Sequence, residues 1–182
     1  PGDGSDVLEG QAGNDTLLGI ENLQGSELHG DTLAGNAHSN WLRGLGGDDV
    51  IDGGGGIDTA GFDGLRADGT LAGTDSGWTV VSGAEGSDTL INVERLEFFG
   101  GSVALDLAGH AGTVAKILGA VFGKAEVANE VYAGIGLYYI DGGMTYESLM
   151  QLAIDARLGA GTGHQAVVDL LYTNVVGVPP GD

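Results

Sequence analysis

The sequence predicts a mainly β first half built from short stacked strand–turn units, and a second half that forms a small helical bundle. Three observations lead there: a nine-residue repeat over residues 1–61, a β-rich bridge over 62–107, and helical apolar spacing over 108–182. Composition sets the bounds. Of 182 residues, 37 are Gly, and 26 Asp+Glu face 6 Lys+Arg for a net charge of -20. That balance excludes nucleic acid and anionic membrane surfaces, which need a basic footprint, and favours cations as partners. An apolar share of 42% is too high for a disordered acidic tail. With no Cys, neither disulfides nor thiolates can hold a metal or the fold. There is no apolar run long enough for a membrane span, and the N-terminus reads as no secretory signal peptide.

The repeats come first. Residues 1–63 hold 12 acidic residues, one basic residue (Arg43) and 16 of the Gly. Written in nines they read PGDGSDVLE, GQAGNDTLL and, after the interruption GIENLQG, SELHGDTLA, GNAHSNWLR, GLGGDDVID and GGGGIDTAG. The sixth position is Asp6, Asp15, Asp31, Asn40, Asp49 and Asp58; the eighth is Leu8, Leu17, Leu33, Leu42, Ile51 and Ala60. DTLLGIENLQ from Asp15 has an echo in DTLINVERLE from Asp88, so a larger unit of about seventy residues recurs.

Each unit has three strand residues, with one side chain to bury, and six turn residues in which Gly permits close and left-handed backbone. Such units are too small to bury a core alone, so they must stack into a coil of parallel strands with the aliphatic row inside. Stacking sets the sixth-position carboxylates of successive layers opposite each other, where they repel unless a cation lies between them. Calcium suits this: it is hard, takes six to eight oxygens, and accepts carboxylates and carbonyls alike. Magnesium demands a tighter octahedron and keeps its waters. One isolated Asp-Gly cluster would be an ordinary turn; six in phase, each with an apolar residue two places later, point to calcium. DDVIDG is not an EF-hand, since Val50 stands at a ligand position. Asp48, beside Asp49, reads as a solvated residue.

On these residues the chain resembles the RTX (hemolysin-type) calcium-binding nonapeptide repeat family, whose consensus is GGxGxDxUx, with GLGGDDVID and GGGGIDTAG as close matches. The resemblance implies a right-handed parallel β-roll (a β-solenoid) in which two nonapeptides make one turn. It also implies calcium held between units eighteen residues apart. One site would join Glu27, His29 and Asp31 to Gly44, Gly46 and Asp49. A second would join Asn36, His38 and Asn40 to Gly53, Gly55 and Asp58, with Glu27, His29, Asn36 and His38 acting through their carbonyls. Asp6 and Asp15, with Gly2, Gly4, Gly10 and Gly13, would be half-sites, because GIENLQG breaks the register downstream.

Over 62–107 the strands are TVV at Thr79, TLINV at Thr89 and RLEFF at Arg95, with Trp78, Phe98 and Phe99 as core or capping residues over the end of the roll. Asp88–Leu107 also resembles the segment that often follows such repeats. The first helix carries Val114, Ile117, Leu118, Val121 and Phe122 inward; the second Val127, Val131, Ile135 and Tyr138. Thr145 caps a third with Leu149, Leu152 and Ala153, and a fourth over 164–176 turns Val167, Leu170, Leu171 and Val175 inward. LLYTNVVG resembles a helical family of undetermined function that accompanies RTX repeats and usually continues further, so a chain cut short is part of the reading.

No HExxH, GxSxG, P-loop or GxGxxG is present, and the four His share no metal-like spacing, so no enzyme is expected. The function expected is a calcium-dependent folding and export module of a larger, type I secreted bacterial protein, extracellular or at the cell surface, with the secretion machinery as partner. A second reading is a surface-layer or adhesin segment that uses calcium for rigidity or self-assembly. A third is the accessory part of a secreted hydrolase or epimerase.

Overall fold

A computed structural model describes residues 7–10, 13, 15–18 and 21–178, and the chain divides into two compact units, 1–105 and 106–182. The first unit is β-rich. Its strands are β1 (Val7–Glu9), β2 (Thr16–Leu18), β3 (Asn22–Gln24), β4 (Thr32–Ala34), β5 (Trp41–Arg43), β6 (Val50–Asp52) and β7 (Thr59–Leu65). They continue with β8 (Gly69–Thr74), β9 (Gly77–Ser82), β10 (Gly86–Ile91), β11 (Arg95–Phe99) and β12 (Gly101–Ala104).

Up to β7 the strands alternate between two mixed six-stranded sheets. One runs β1-β3-β5-β7-β11-β12 and the other β2-β4-β6-β10-β9-β8. The pairs β1/β3, β3/β5, β5/β7, β7/β11, β2/β4, β4/β6 and β6/β10 are parallel. In a three-residue strand the flanking side chains point one way and the middle one the other, so each such strand offers one residue to the interior. Leu23, Leu33, Leu42 and Ile51 fill those places, and Ala60, Leu90 and Leu96 of the longer strands β7, β10 and β11 continue the row, all with no exposed surface. The Leu8 and Leu17 side chains lie outside the described residues, although their backbones stand in register with Leu23 and Leu33.

Two features depart from the expected organisation. The interruption GIENLQG is not merely a turn: it supplies β3, and Leu23 joins the buried row. The boundary expected at 61/62 falls inside β7, and the bridge continues the stack instead of lying over its end. β10 pairs with β6 with Leu90 opposite Ile51, and β11 pairs with β7 with Leu96 opposite Ala60. The antiparallel strands β8, β9 and β12 terminate the two sheets. Phe98 is buried and stacks on Phe62 with ring centroids 5.0 Å apart, Trp78 packs partly buried on the same core, but Phe99 is exposed. Phe98 and Phe99 are neighbours on a strand, so only one of them can face inward.

The second unit holds α1 (His110–Val121), α2 (Glu130–Asp141), α3 (Tyr146–Leu158) and α4 (His164–Val176). Asn129 caps α2 and Thr145 caps α3 through their side-chain oxygens. Val114, Ile117, Leu118, Val121, Ile140, Leu149 and Ile154 form the core. The apolar face expected for α2 is corrected: Val131, Ile135 and Tyr138 are exposed, while Gly136 and Ile140 are buried. Both stripes of α2 are apolar, and close approach decides between them, because a Cβ on Gly136 would lie 2.6 Å from Val114 Cγ1. Leu152 and Val175 are likewise exposed, with Ile154 taking the inward place on α3. Among the described residues, no helix is long and apolar enough to cross a membrane.

Candidate metal centre

The turns between strands bring the sixth-position residues into two ladders. In each, a backbone N–H donates to the side chain of the next coil. Asp15 N–H donates to Asp31 Oδ1 at 2.7 Å, Asp31 N–H to Asp49 Oδ1 at 2.7 Å, and Asp49 N–H to Asp88 Oδ1 at 2.9 Å. In the other, Asn40 N–H donates to Asp58 Oδ1 at 2.7 Å and Asp58 N–H to Glu94 Oε2 at 2.9 Å. Parallel pairing on either side of each turn makes this stacking unavoidable, since it holds equivalent turn residues one strand spacing apart.

Two predicted pairs are therefore brought together, Asp31 with Asp49 and Asn40 with Asp58. Carbonyls converge on the same places. A Cβ on Gly25 would lie 2.5 Å from both Asp31 Oδ2 and the Gly44 oxygen, and a Cβ on Gly35 would collide with both Asn40 Oδ1 and the Gly53 oxygen. Only glycine leaves such oxygens facing a common space. Gly46 and Gly55 sit over the preceding coil, donating their N–H groups to Ser26 O at 3.0 Å and Asn36 O at 2.8 Å.

Those two bonds correct the frame of one unit. Ser26, not Glu27, is the counterpart of Asn36: Ser26 N–H donates to Asp31 Oδ2 as Asn36 N–H donates to Asn40 Oδ1. The unit begins at Gly25 and runs ten residues to Ala34, with the extra residue accommodated around Leu28, which is exposed. His29 and His38 keep their rings away from the ladders. Gly13 N–H donates to His29 Nδ1 at 3.2 Å, and the His38 ring lies 3.2 Å from Asn36 Oδ1. Asp48 is exposed as expected, yet it accepts the Ser87 N–H at 2.9 Å.

Asp15 is a second correction. The interruption was expected to break its downstream register, but β3 restores the stack, and Asp15 meets Asp31 across sixteen residues. Gly10 and Gly13 adjoin it: a Cβ on Gly10 would lie 3.0 Å from Asp15 Oδ2, and Gly13 has φ +134°. Asp6, Gly2 and Gly4 lie outside the described residues. Asp88 and Glu94 escaped the sequence reading. Their signal was the echo of DTLLGIENLQ in DTLINVERLE, which sets Asp88 on Asp15 and Glu94 on Glu21.

The electrostatics are those of an anion row drawn out of water. Asp31, Asp49, Asp58 and Asp88 are almost wholly buried. Burial is the main cause that pushes Asp49 and Asp58 up to about 6 and Asp88 up to about 8. The N–H donated by the preceding coil works against burial, and neighbouring carboxylates add to it: Asp31 at Asp49, Glu94 at Asp58, Asp49 at Asp88. Arg43, the one basic residue of 1–63, is ion-paired with Asp63.

Three oxygens decide whether a metal fits. Among the described residues, Asp15 Oδ2, Asp49 Oδ2 and Asp58 Oδ2 are buried with no hydrogen-bond partner. An unsatisfied buried carboxylate oxygen costs free energy that native folds avoid. Other oxygens stand close by, the Asn92 carbonyl beside Asp58 Oδ2 among them, and carboxylate and carbonyl groups are the donor set of a hard cation such as calcium.

Residues 2–19 and 29–60 match the model of the RTX calcium-binding nonapeptide repeat in four copies. Among solved structures, the extracellular lipase LipA from Serratia marcescens is similar at 15% identity and a TM-score of 0.25. The likeness covers 42% of this chain and 14% of the lipase, so this chain corresponds to a small part of that protein. No curated protein matches.

Proposed function

We propose that the parallel strands β1–β7, β10 and β11 form a right-handed β-roll that is completed by calcium, and that it serves as a folding and export module of a larger secreted bacterial protein. The hand follows from parallel crossover connections, which are right-handed in nearly all proteins. One observation carries the reading: stacked position-six side chains, of which Asp15, Asp49 and Asp58 each keep a buried oxygen with no partner among the described residues. Asp31 and Asp49, with the carbonyls of Ser26, His29, Gly44 and Gly46, would hold one ion. Asn36, His38, Asn40, Gly53, Gly55 and Asp58 would hold a second.

The consequence for export is physical. Without cation, a chain at -20 resists compaction through carboxylate repulsion, and one buried aliphatic per nine residues is a small gain against chain entropy. A cation that binds only the folded state draws the equilibrium toward it by mass action. A cell interior poor in calcium would then keep the roll open for passage, and external calcium would close it. Circular dichroism of the chain during a calcium titration, with calorimetry for stoichiometry, tests this. Gain of β-structure with saturable binding is expected; identical spectra in chelator and in calcium would overturn it. Concentration-dependent assembly on adding calcium would instead favour a surface-layer or adhesin role.

A further inference from the structure

We propose that Asp58, Asn92 and Glu94 form a further calcium site beyond the nonapeptide repeats, in the last coil of the stack. The inference rests on the calcium reading above and extends it to residues that carry no repeat signature.

The argument is one of equivalence. At Gly35, a Cβ would collide with two oxygens at once: Asn40 Oδ1, at position six of its own unit, and the Gly53 carbonyl, at position one of the next coil. At Gly53 the same pair of roles is filled by Asp58 Oδ2, which a Cβ would approach to 2.6 Å, and by the carbonyl of Asn92. Asn92 thus stands where the next unit would place its first glycine. Its φ of +49° is left-handed, a conformation that Asn tolerates better than most side chains. Glu94 takes the place of the next position six, since its Oε2 accepts the Asp58 N–H at 2.9 Å just as Asp58 Oδ1 accepts that of Asn40.

The loop that offers these groups is well held. Gly53 N–H donates to Ile91 O at 3.0 Å, Arg95 N–H to Asp58 O at 2.9 Å, and Asn92 Nδ2 to Asp52 Oδ1 at 2.9 Å. Asp58 has no exposed surface, and among the described residues its Oδ2 has no hydrogen-bond partner. Two carboxylates and a carbonyl facing one another favour a divalent oxygen-seeking ion over a monovalent one. The carbonyls of Gly54 and Gly56 would complete it by the roles of Asn36 and His38. The link from Ile91 to Arg95 has three residues where a repeat has six, so it lacks a position-three carbonyl and leaves that coordination to water. Its two formal charges exceed the single one of the Asn40/Asp58 site.

Glu94→Gln tests this, because it keeps the shape and an oxygen for the Asp58 N–H while removing the charge. Calorimetric calcium titration of the full chain should show one fewer equivalent, or one step weakened by on the order of tenfold or more, with the remaining steps unchanged. If the wild-type chain takes up no calcium at all, the reading under Proposed function fails. If it does and Glu94→Gln titrates identically, the present inference alone is overturned. Should Glu94→Gln not reach the wild-type spectrum at saturating calcium, anomalous scattering from wild-type crystals grown with calcium decides. A peak between Asp58 and Glu94 supports the site, and peaks confined to the repeats overturn it.

Discussion

Replacing Asn40 by Asp should have opposite effects with and without calcium. Asn40 is 3% exposed. Its Oδ1 accepts the Asn36 N–H at 2.8 Å, and its Nδ2 donates to Glu21 O at 3.3 Å. In chelator, Asp at this place would be a buried carboxylate beside Asp58, with the Nδ2 bond gone. Asp49 in the other ladder shows the scale, since its surroundings raise it from 3.8 to about 6. Two units correspond to roughly 3 kcal/mol at neutral pH, and a lost hydrogen bond adds about 1 kcal/mol. With calcium bound, the added charge meets a divalent ion at contact distance. Even at an effective dielectric near 20 that attraction is on the order of 10 kcal/mol, larger than the cost. Melting temperature against the logarithm of free calcium should therefore give crossing lines: Asn40→Asp below wild type at low calcium and above it at high calcium. Calorimetry should show tighter binding at that site, and Asp49→Ala should weaken calcium binding more than Asn40→Ala. Lines that stay parallel, with the variant lower throughout, would refute contact between residue 40 and a cation.

Three further outcomes follow from the same geometry. In chelator the first unit should lose β-structure while the helical signal persists, because residues 106–182 have a hydrophobic core of their own; loss of all helicity on adding chelator would contradict this. Gly44→Ala places a Cβ into Asp49 Oδ2 and should weaken calcium binding and lower stability by about 1–3 kcal/mol, measured by calorimetry and denaturant melts. In chelator, lowering the pH from 8 to 5 should increase β-structure: Asp49, Asp58 and Asp88 have folded values above the unfolded 3.8, so the fold binds protons that the unfolded chain does not. That contribution is complete below about 4 and disappears as pH rises through about 6 to 8, at about 1.4 kcal/mol per pH unit for each group titrating. With calcium present, the same acidification should release the ion, and a pH-independent spectrum in chelator would contradict the burial of these carboxylates.

The periodicity of the sequence by itself determined that residues 1–61 form short strands joined by Gly- and Asp-rich turns, and that Leu33, Leu42, Ile51 and Ala60 are interior. A local repeat of nine, with one apolar and one acidic residue in fixed phase, leaves few other ways to bury the first and stack the second. The pairing of Asp31 with Asp49 and of Asn40 with Asp58 was implied by the family resemblance, in which two units make one turn, and hydrogen bonds between coils bring both pairs together. Counting along the chain failed where the coil changes length. It took GIENLQG for a break in the repeat instead of a coil with its own strand, set Glu27 where Ser26 stands, and left Asp15 without a neighbour. Hydrogen bonds between coils tolerate a shortened or lengthened turn as long as the strands stay in register, and residue number carries no trace of that tolerance. Tertiary structure alone decided that Asp88 and Glu94 extend the ladders, since the excursion through β8 and β9 separates them in sequence from the coils they join. It also chose which apolar stripe of α2 faces inward, where a glycine lets the backbone come closer than Val131 or Ile135 would allow.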